Sequence, residues 1–508
     1  MIALFVKRYI LEATVFICGA VVMIYEINGT RILSPFIGTS TYVWTSLIGV
    51  ILGALSLGYW LGGKWADRRP DLKILAFVIF IAGGFVSITI LLKELVLSFA
   101  ASAPIGLELK SVLAALILFA PASIALGFVS PYAVKLKTTT LEDTGKVVGR
   151  LYALSTVGSI VGTFTAGFFL IPFVGSIRTL YLVAGTLIVL SMLLAPFALT
   201  RFNFSVVAIF VLGIAGSEFN RAYALRASGL HDIDTEYSRV QVFDTIDPRS
   251  GKPMRALATD PYFIQSAMFP DSDEPALEYG KYYHLIRHFK PDFRHSLIIG
   301  GAGYSFPKEY LKKYSNACID VVEIDPGMTR IAREHFRLVD SERLSIIHQD
   351  ARVFLAGAET GKYDAILMDA FGSMFSVPYQ LTTLEAVIHF SRVLKDDGVV
   401  IFNLGSAITG DASGFLQAEF KTYQQVFPQV HLFKVNTSYA DERLQNLIIV
   451  AAQSASPIRF SSDDPALAEL LAHRYSEHFT LDNPVLTDDL APVEYYNSIA
   501  QNIYLANR

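Results

Sequence analysis

A chain of 508 residues is too long for one hydrophobic core, so at least two domains are expected. It is 52% hydrophobic and only 17% charged, which excludes a disordered chain, and its net charge of -4 gives no global basic character that would suggest nucleic acid. Two cysteines, Cys18 and Cys318, exclude a disulfide framework.

The averages hide a division. Residues before about 220 are dominated by apolar runs; residues after about 228 read as an ordinary soluble protein. Runs near 10–27, 42–62, 74–92, 112–133, 150–172 and 179–199 are long enough to cross a bilayer as helices, and a shorter run at 203–216 is a marginal seventh. The first run is too long for a signal peptide, lacks a small-residue cleavage site and is expected to be retained. Lys64, Arg68, Arg69 and Lys73 follow the second run, and Lys135, Lys137, Lys146 and Arg150 follow the fourth. The alternate loops hold only Arg31, then Lys93 and Lys110, then Arg178. The positive-inside rule therefore puts the N-terminus and both basic loops in the cytoplasm. Six spans would leave the rest of the chain in the cytoplasm; seven would leave it outside.

Small residues recur at Gly49 and Gly53, Gly58 and Gly62, and Gly158 and Gly162, a spacing that permits close helix contact within a bundle. Glu26, with Arg31 one turn on, is either an intramembrane functional acid or half of an interfacial ion pair. Gly58-Tyr-Trp-Leu-Gly-Gly-Lys-Trp-Ala-Asp-Arg-Arg69 resembles the cytoplasmic loop between the second and third helices of major facilitator transporters.

In the soluble half, short alternating runs at 239–243 and 255–258, joined by the turn Asp247-Pro-Arg-Ser-Gly251, predict a small β unit. A helix is expected at 279–289. Strands are then expected at 296–299, 319–323, 344–348, 365–369, 398–403, 429–434 and 445–450, with helices between, which predicts a mostly parallel α/β sheet of methyltransferase type. The expected organisation is a helical multi-pass membrane domain over 1–220, the small β unit and helix over 228–290, and an α/β Rossmann-like domain over 291–508.

That domain is organised around Leu297-Ile-Ile-Gly-Gly-Ala-Gly-Tyr304, a strand running into a glycine turn, followed by Val321-Val-Glu-Ile-Asp325, a strand ending on an acid. Glycines let backbone approach a ligand, and an acid at this distance accepts hydrogen bonds from ribose hydroxyls. Ligands of such sheets bind at the carboxyl ends of the strands. Glu323, Asp350 and Asp369 all fall there. One such carboxylate is often only a helix N-cap; three after a glycine turn point to a site. Glu323 would bind ribose, Asp350 with the Ala351 backbone an adenine amine, and Asp369 would orient or deprotonate a cationic amine over the reacting carbon.

Taken with Ser238-Arg-Val-Gln241, Gln265-Ser-Ala-Met268, Gln349-Asp-Ala351 and Tyr363-Asp-Ala-Ile-Leu-Met-Asp369, these stretches resemble spermidine synthases, the polyamine aminopropyltransferases, over roughly 230–450. The whole layout resembles that family's membrane-fused branch. The resemblance implies transfer of an aminopropyl group from decarboxylated S-adenosylmethionine to putrescine, with no metal. It implies Asp369 as the catalytic acid, Gln241 and Gln265 lining the cofactor and amine pocket, Gly300, Gly301 and Gly303 forming the turn, and Glu323, Asp350 and Ala351 holding the adenosyl group. A homodimer in the inner membrane is expected, and, because sulfonium nucleosides are made in the cytoplasm, a cytoplasmic catalytic domain. The departures are Gly303 and Gly372, which stand where the family has amine-binding aspartates, and Asp273-Glu274, which no Tyr-His-Glu follows cleanly. The alternatives are a methyltransferase using intact S-adenosylmethionine, and a transporter or sensor whose soluble domain binds a nucleoside without turnover.

Overall fold

The protein is described by a computed structural model over residues 2–38, 40–103, 105–138, 140, 142–195, 201–260, 263–370 and 377–506. Gly372 lies outside the described residues. The chain divides into two compact units, Met1–Arg239 and Val240–Arg508.

The first unit is helical: α1 (Ile2–Ile37), α2 (Thr41–Arg68), α3 (Leu72–Ser102), α4 (Leu107–Leu118), α5 (Ala120–Gly127), α6 (Val129–Lys137), α7 (Thr144–Thr165), α8 (Ser176–Leu194) and α9 (Arg201–Ser228), closed by a short strand β1 (His231–Asp234). Among the described residues, six helices are long and apolar enough to cross a membrane, or seven if the pair Leu107–Leu118 and Ala120–Lys137, bent by 53°, counts as one. The bend falls at Phe119, just before Pro121, whose missing N–H cannot continue the helical ladder. The buried Leu118 carbonyl accepts from the hydroxyls of Tyr25 (2.9 Å) and Thr89 (2.6 Å). After α7 the helix widens into a π-helical stretch, Ala166–Val174, which contains Pro172.

Two of the three glycine pairs are contact faces. A Cβ on Gly58 or Gly62 would meet the backbone of Ile124 or Phe128 at 2.2 and 2.7 Å, and one on Gly158 or Gly162 would meet the backbone of Phe16 or Ala20 at 2.1 and 2.3 Å. Gly49 and Gly53 face open space instead. The Arg31 guanidinium donates to the Glu236 carbonyl at 2.6 Å. α9 is twice as long as its apolar run, because Glu218, Arg221 and Arg226 end the run without ending the helix.

Ion pairs mark the two ends of this unit. At one end Glu12 meets Lys137 (3.1 Å) and Arg150 (3.5 Å), and Asp67 meets Lys135 (2.8 Å). At the other, Asn28 donates to the Ser176 carbonyl (2.9 Å), Asp234 accepts from the Ser176 N–H and hydroxyl (2.7 and 2.8 Å), and Arg239 grips Asp232. The last residues of the unit thus sit at the end of α1 opposite the basic loops.

The second unit opens with an antiparallel sheet of β2 (Arg239–Ile246), β3 (Pro253–Ala258), β4 (Ser266–Phe269) and β5 (Ser272–Pro275). β2 and β3 pair from Gln241↔Ala258 to Ile246↔Pro253. Asp247 closes their turn by accepting from the Ser250 N–H (3.1 Å) and hydroxyl (2.6 Å). Residues 279–289 are helical with a 3₁₀ turn, Tyr283–Leu285, in the middle.

The large sheet comprises β6 (His295–Ile299), β7 (Cys318–Val322), β8 (Leu344–Ile347), β9 (Tyr363–Met368), β10 (Leu394–Ser406), β11 (Gln429–Lys434), β12 (Gln445–Ala452) and β13 (Arg474–Tyr475), in the order β13-β11-β12-β10-β9-β6-β7-β8. β10, β9, β6, β7 and β8 are parallel; β12, β11 and β13 continue antiparallel. All six residues of β9 are buried, as a central parallel strand covered on both faces requires. This is the α/β methyltransferase-type architecture expected from the sequence.

Candidate active site

The parallel ladder continues one residue beyond the strands. Asp369 N–H donates to the Ile299 carbonyl (2.9 Å), Gly300 N–H to Val322 (2.9 Å), and Glu323 N–H to Ile347 (3.0 Å). These bonds hold the ends of β9, β6, β7 and β8 in line, so the glycine turn, Glu323, Asp350 and Asp369 share one edge of the sheet. Gly300 has φ +95°, and a Cβ there would lie 2.5 Å from the Asp369 carbonyl oxygen. Only glycine allows both this backbone angle and this approach.

Glu323 is buried, and its carboxylate is occupied by backbone. Oε2 accepts from the N–H groups of Gly301 (2.8 Å) and Ala302 (3.2 Å), and Oε1 accepts from Asp325 N–H (2.9 Å). Burial pushes its pKa up, while those three donors pull it back. Asp350 is the N-cap of the helix Ala351–Gly357, accepting from Arg352 N–H (2.8 Å) and Val353 N–H (3.1 Å). Both acids therefore shape backbone at the carboxyl edge of the sheet.

Asp369 is different. It opens on a cavity of about 530 Å³. Its Oδ2 accepts from the Tyr279 hydroxyl at 3.3 Å, and its Oδ1 from the Asn403 amide at 3.2 Å. Burial drives its pKa up from 3.8 to about 7, against the pull of Asn403, Tyr283 and Tyr279. A carboxylate poised there holds or releases a proton near neutrality, which suits general-base work. The same carboxylate, with burial, pushes the hydroxyls of Tyr279 and Tyr283 well above their ordinary value, so both stay protonated donors.

Of the residues expected from the sequence, the cavity brings Gln265 and Asp369 together, and a small adjoining space of about 40 Å³ adds Gly300 and Gly301. Gly303 faces the other way: a Cβ there would strike the Ser266 hydroxyl at 2.6 Å, so its smallness serves packing against β4. Gln241 sits on β2 opposite Ala258, and neither it nor Glu323, Asp350 or Ala351 lines the cavity. Tyr379 and Glu385, the other side chains near Asp369 in sequence that could handle an amine, are also off its wall; Tyr379 is exposed and Glu385 accepts from Asp488 N–H.

Sequence reasoning missed Tyr279, Asn403, Asn446 and Asp260, which all line the cavity. Tyr279 entered the sequence reading as the first residue of the helix expected at 279–289. The cavity wall is acidic: Asp247, Asp260, Glu278 and Asp369 face a single arginine, Arg249, which is itself bonded to Glu278 (2.5 Å) and Asp247 (3.5 Å).

Residues 281–457 match the family described as the spermine/spermidine synthase domain. The chain is 29% identical to a polyamine aminopropyltransferase of Vibrio vulnificus over 214 residues, covering 41% of this chain and 67% of that protein. It is 24% identical to polyamine aminopropyltransferase 1 of Streptomyces coelicolor over 457 residues, covering 82% of this chain and 81% of that protein. An alignment of that length runs beyond the second unit into the helical one. An N-terminal histidine N-methyltransferase of Emericella nidulans is 29% identical over 166 residues, covering 31% of this chain and 28% of that protein. The second unit thus has an α/β fold of methyltransferase type, and residues 281–457 of it are similar to the spermine/spermidine synthase domain.

Proposed function

We propose that the protein is a membrane-bound polyamine aminopropyltransferase, transferring an aminopropyl group from decarboxylated S-adenosylmethionine to an amine such as putrescine, to give spermidine and methylthioadenosine. The observation that carries this reading is Asp369, poised near neutrality between the glycine turn and an acidic cavity. An ammonium group entering the cavity loses a proton to the Asp369 carboxylate. The freed nitrogen lone pair attacks the carbon beside the sulfonium, the carbon–sulfur bond breaks, and its electrons return to sulfur. Placing the two reactants in line supplies much of the rate of such a displacement. The glycine turn, Glu323, Asp350 and Ala351 would hold the nucleoside. With Gly303 turned away, Asp260 and the acidic wall supply the cation-binding charge that the missing family aspartates would have given.

Purified full-length protein, incubated with either sulfonium donor and a panel of amines, tests this by mass spectrometry. Methylthioadenosine is the expected product. Adenosylhomocysteine would instead establish a methyltransferase, and binding without either product a sensor.

The helical unit is proposed to lie in the plasma membrane. It exposes large apolar side chains all round, Phe99, Phe168, Phe169, Phe173 and Phe204 among them, which water would not tolerate over such an area. A homodimer is proposed with it. The catalytic unit is proposed to be cytoplasmic, because its donor is made there. A second reading has its own support: residues 231–239 are tied to the end of the bundle opposite the basic loops. With those loops inside, an odd number of crossings would leave the catalytic unit outside. Alkaline phosphatase fused after Arg226 separates the two. Low activity supports the cytoplasmic placement; high activity overturns it and makes the helical unit a candidate route for substrate or product.

A further inference from the structure

We infer that Asn403 and Asn446 form an amide relay that orients Asp369 and assigns proton uptake to its Oδ2 atom. The inference rests on the proposed role of Asp369 as the acid facing the acceptor amine.

Three neighbouring strands build the relay. Asp369 follows β9, Asn403 lies on β10 one residue past the Phe402↔Met368 pair, and Asn446 lies on β12 opposite Gly405. Asn446 Nδ2 donates to Asn403 Oδ1 at 3.0 Å, and Asn403 Nδ2 donates to Asp369 Oδ1 at 3.2 Å. Asn403 is only 5% exposed, so its amide has little water to turn to. Its direction is then set from behind. If Asn403 were reversed, its oxygen would face a carboxylate oxygen and its NH₂ would face the NH₂ of Asn446, two repulsive contacts in place of two hydrogen bonds. Asn446 thereby keeps a permanent donor on Oδ1. Oδ1 stays an acceptor, and a proton arriving from the cavity settles on Oδ2, which accepts a long bond of 3.3 Å from the Tyr279 hydroxyl. The ammonium N–H bond breaks and an Oδ2–H bond forms, leaving a neutral amine and a neutral acid.

The titratable groups around Asp369 do not duplicate this role. Tyr279 and Tyr283, from the helical segment beside it, are protonated donors. Among the groups that share its cavity, Arg249 is bound to Glu278 and Asp247, Asp260 accepts from Phe263 N–H at 3.1 Å, and His473 Nδ1 is bonded to the Tyr282 hydroxyl at 2.6 Å. Tyr439 lines the cavity as well. Asn403 is itself held by a second donor, Asn446, on its far side.

The test is a donor series at Asn446, a positioning residue that acts through Asn403. Two quantities are read on the full-length protein: the acidic limb of kcat/KM, and the titration of the Asp369 carboxyl by its infrared C=O band, identified by its loss in Asp369→Asn. Asn446→Leu removes the donor and is expected to move both toward higher pH by roughly one unit. Asn446→Asp, which invites Asn403 to turn round, is expected to move them further. Asn446→Ser, which keeps a donor, is expected to stay near the wild type. A merely structural role would lower the melting temperature in all three and leave the titration in place, and that result overturns the relay. If the wild type transfers no aminopropyl group, the proposed function fails, and the infrared titration still decides the relay.

Discussion

The acids at the carboxyl edge of the sheet fall into two kinds. On the β7–β8 side, Glu323 and Asp350 have carboxylates bonded to their own backbone: the glycine turn in one case, a helix N-terminus in the other. On the β9–β10 side, the Asp369 carboxylate accepts from side chains among the described residues and opens on the cavity. The first kind uses its charge to fix backbone; the second leaves its charge facing the cavity. Position at a strand end does not distinguish them. The partners of each oxygen do.

This contrast predicts opposite behaviour on substitution. The largest effect is expected at Asp369. Asp369→Asn should lower turnover by about two or more orders of magnitude with donor binding retained, because a positioned base is lost. Near-normal turnover in steady-state kinetics would erase the distinction. The same substitution should stabilise the fold at alkaline pH. The folded-state pKa, about 7, lies above the unfolded value near 3.8, so wild-type stability falls as pH rises through that window and the loss is complete above pH 7. Asparagine has no charge to bury. The variant should therefore match the wild type near pH 4 and exceed it by about 1–3 kcal/mol at pH 8, measured by denaturant unfolding of the full chain.

Glu323→Ala should act the other way. It strands three backbone donors and removes the acceptor for ribose hydroxyls, so donor affinity by calorimetry should weaken by about 2–4 kcal/mol and stability should fall as well. Unchanged affinity would remove Glu323 from the nucleoside pocket and leave it a brace for the turn. Asp350→Ala should be the mildest, costing about 1 kcal/mol of stability as a lost N-cap. A much larger loss of donor affinity at Asp350 would show that it does more than cap.

The sheet was legible because its central strands carry short apolar runs, Leu297-Ile-Ile299, Val321-Val322 and Ala365-Ile-Leu-Met368, bounded by turn residues, and Asp369 because such a strand ends on it. The short strands β4, β5 and β13 were not, since two to four residues carry no period. The relay was hidden for a different reason. Asn403 and Asn446 are 43 residues apart and meet only through antiparallel pairing of β10 with β12, which neither local sequence announces. Gly303 read as part of the ligand turn because it sits in a glycine-rich stretch; its real neighbour, Ser266, comes from another sheet. In the helical unit the apolar runs marked the helices, but charge was mistaken for an ending in α9, where the backbone continues through Glu218 and Arg221.

The contact between Gly300 and the Asp369 carbonyl gives the site a mechanical unity. The loop that would meet the nucleoside and the residue that would meet the amine touch backbone to backbone, with no side chain between them to absorb a shift. Whatever one substrate does to that loop, the other must feel. Donor and acceptor are thus expected to bind cooperatively, each changing the other's affinity by the same factor. Gly300→Ala, by forcing the two backbones apart, should weaken that reciprocity along with both affinities, which paired calorimetric titrations would read directly.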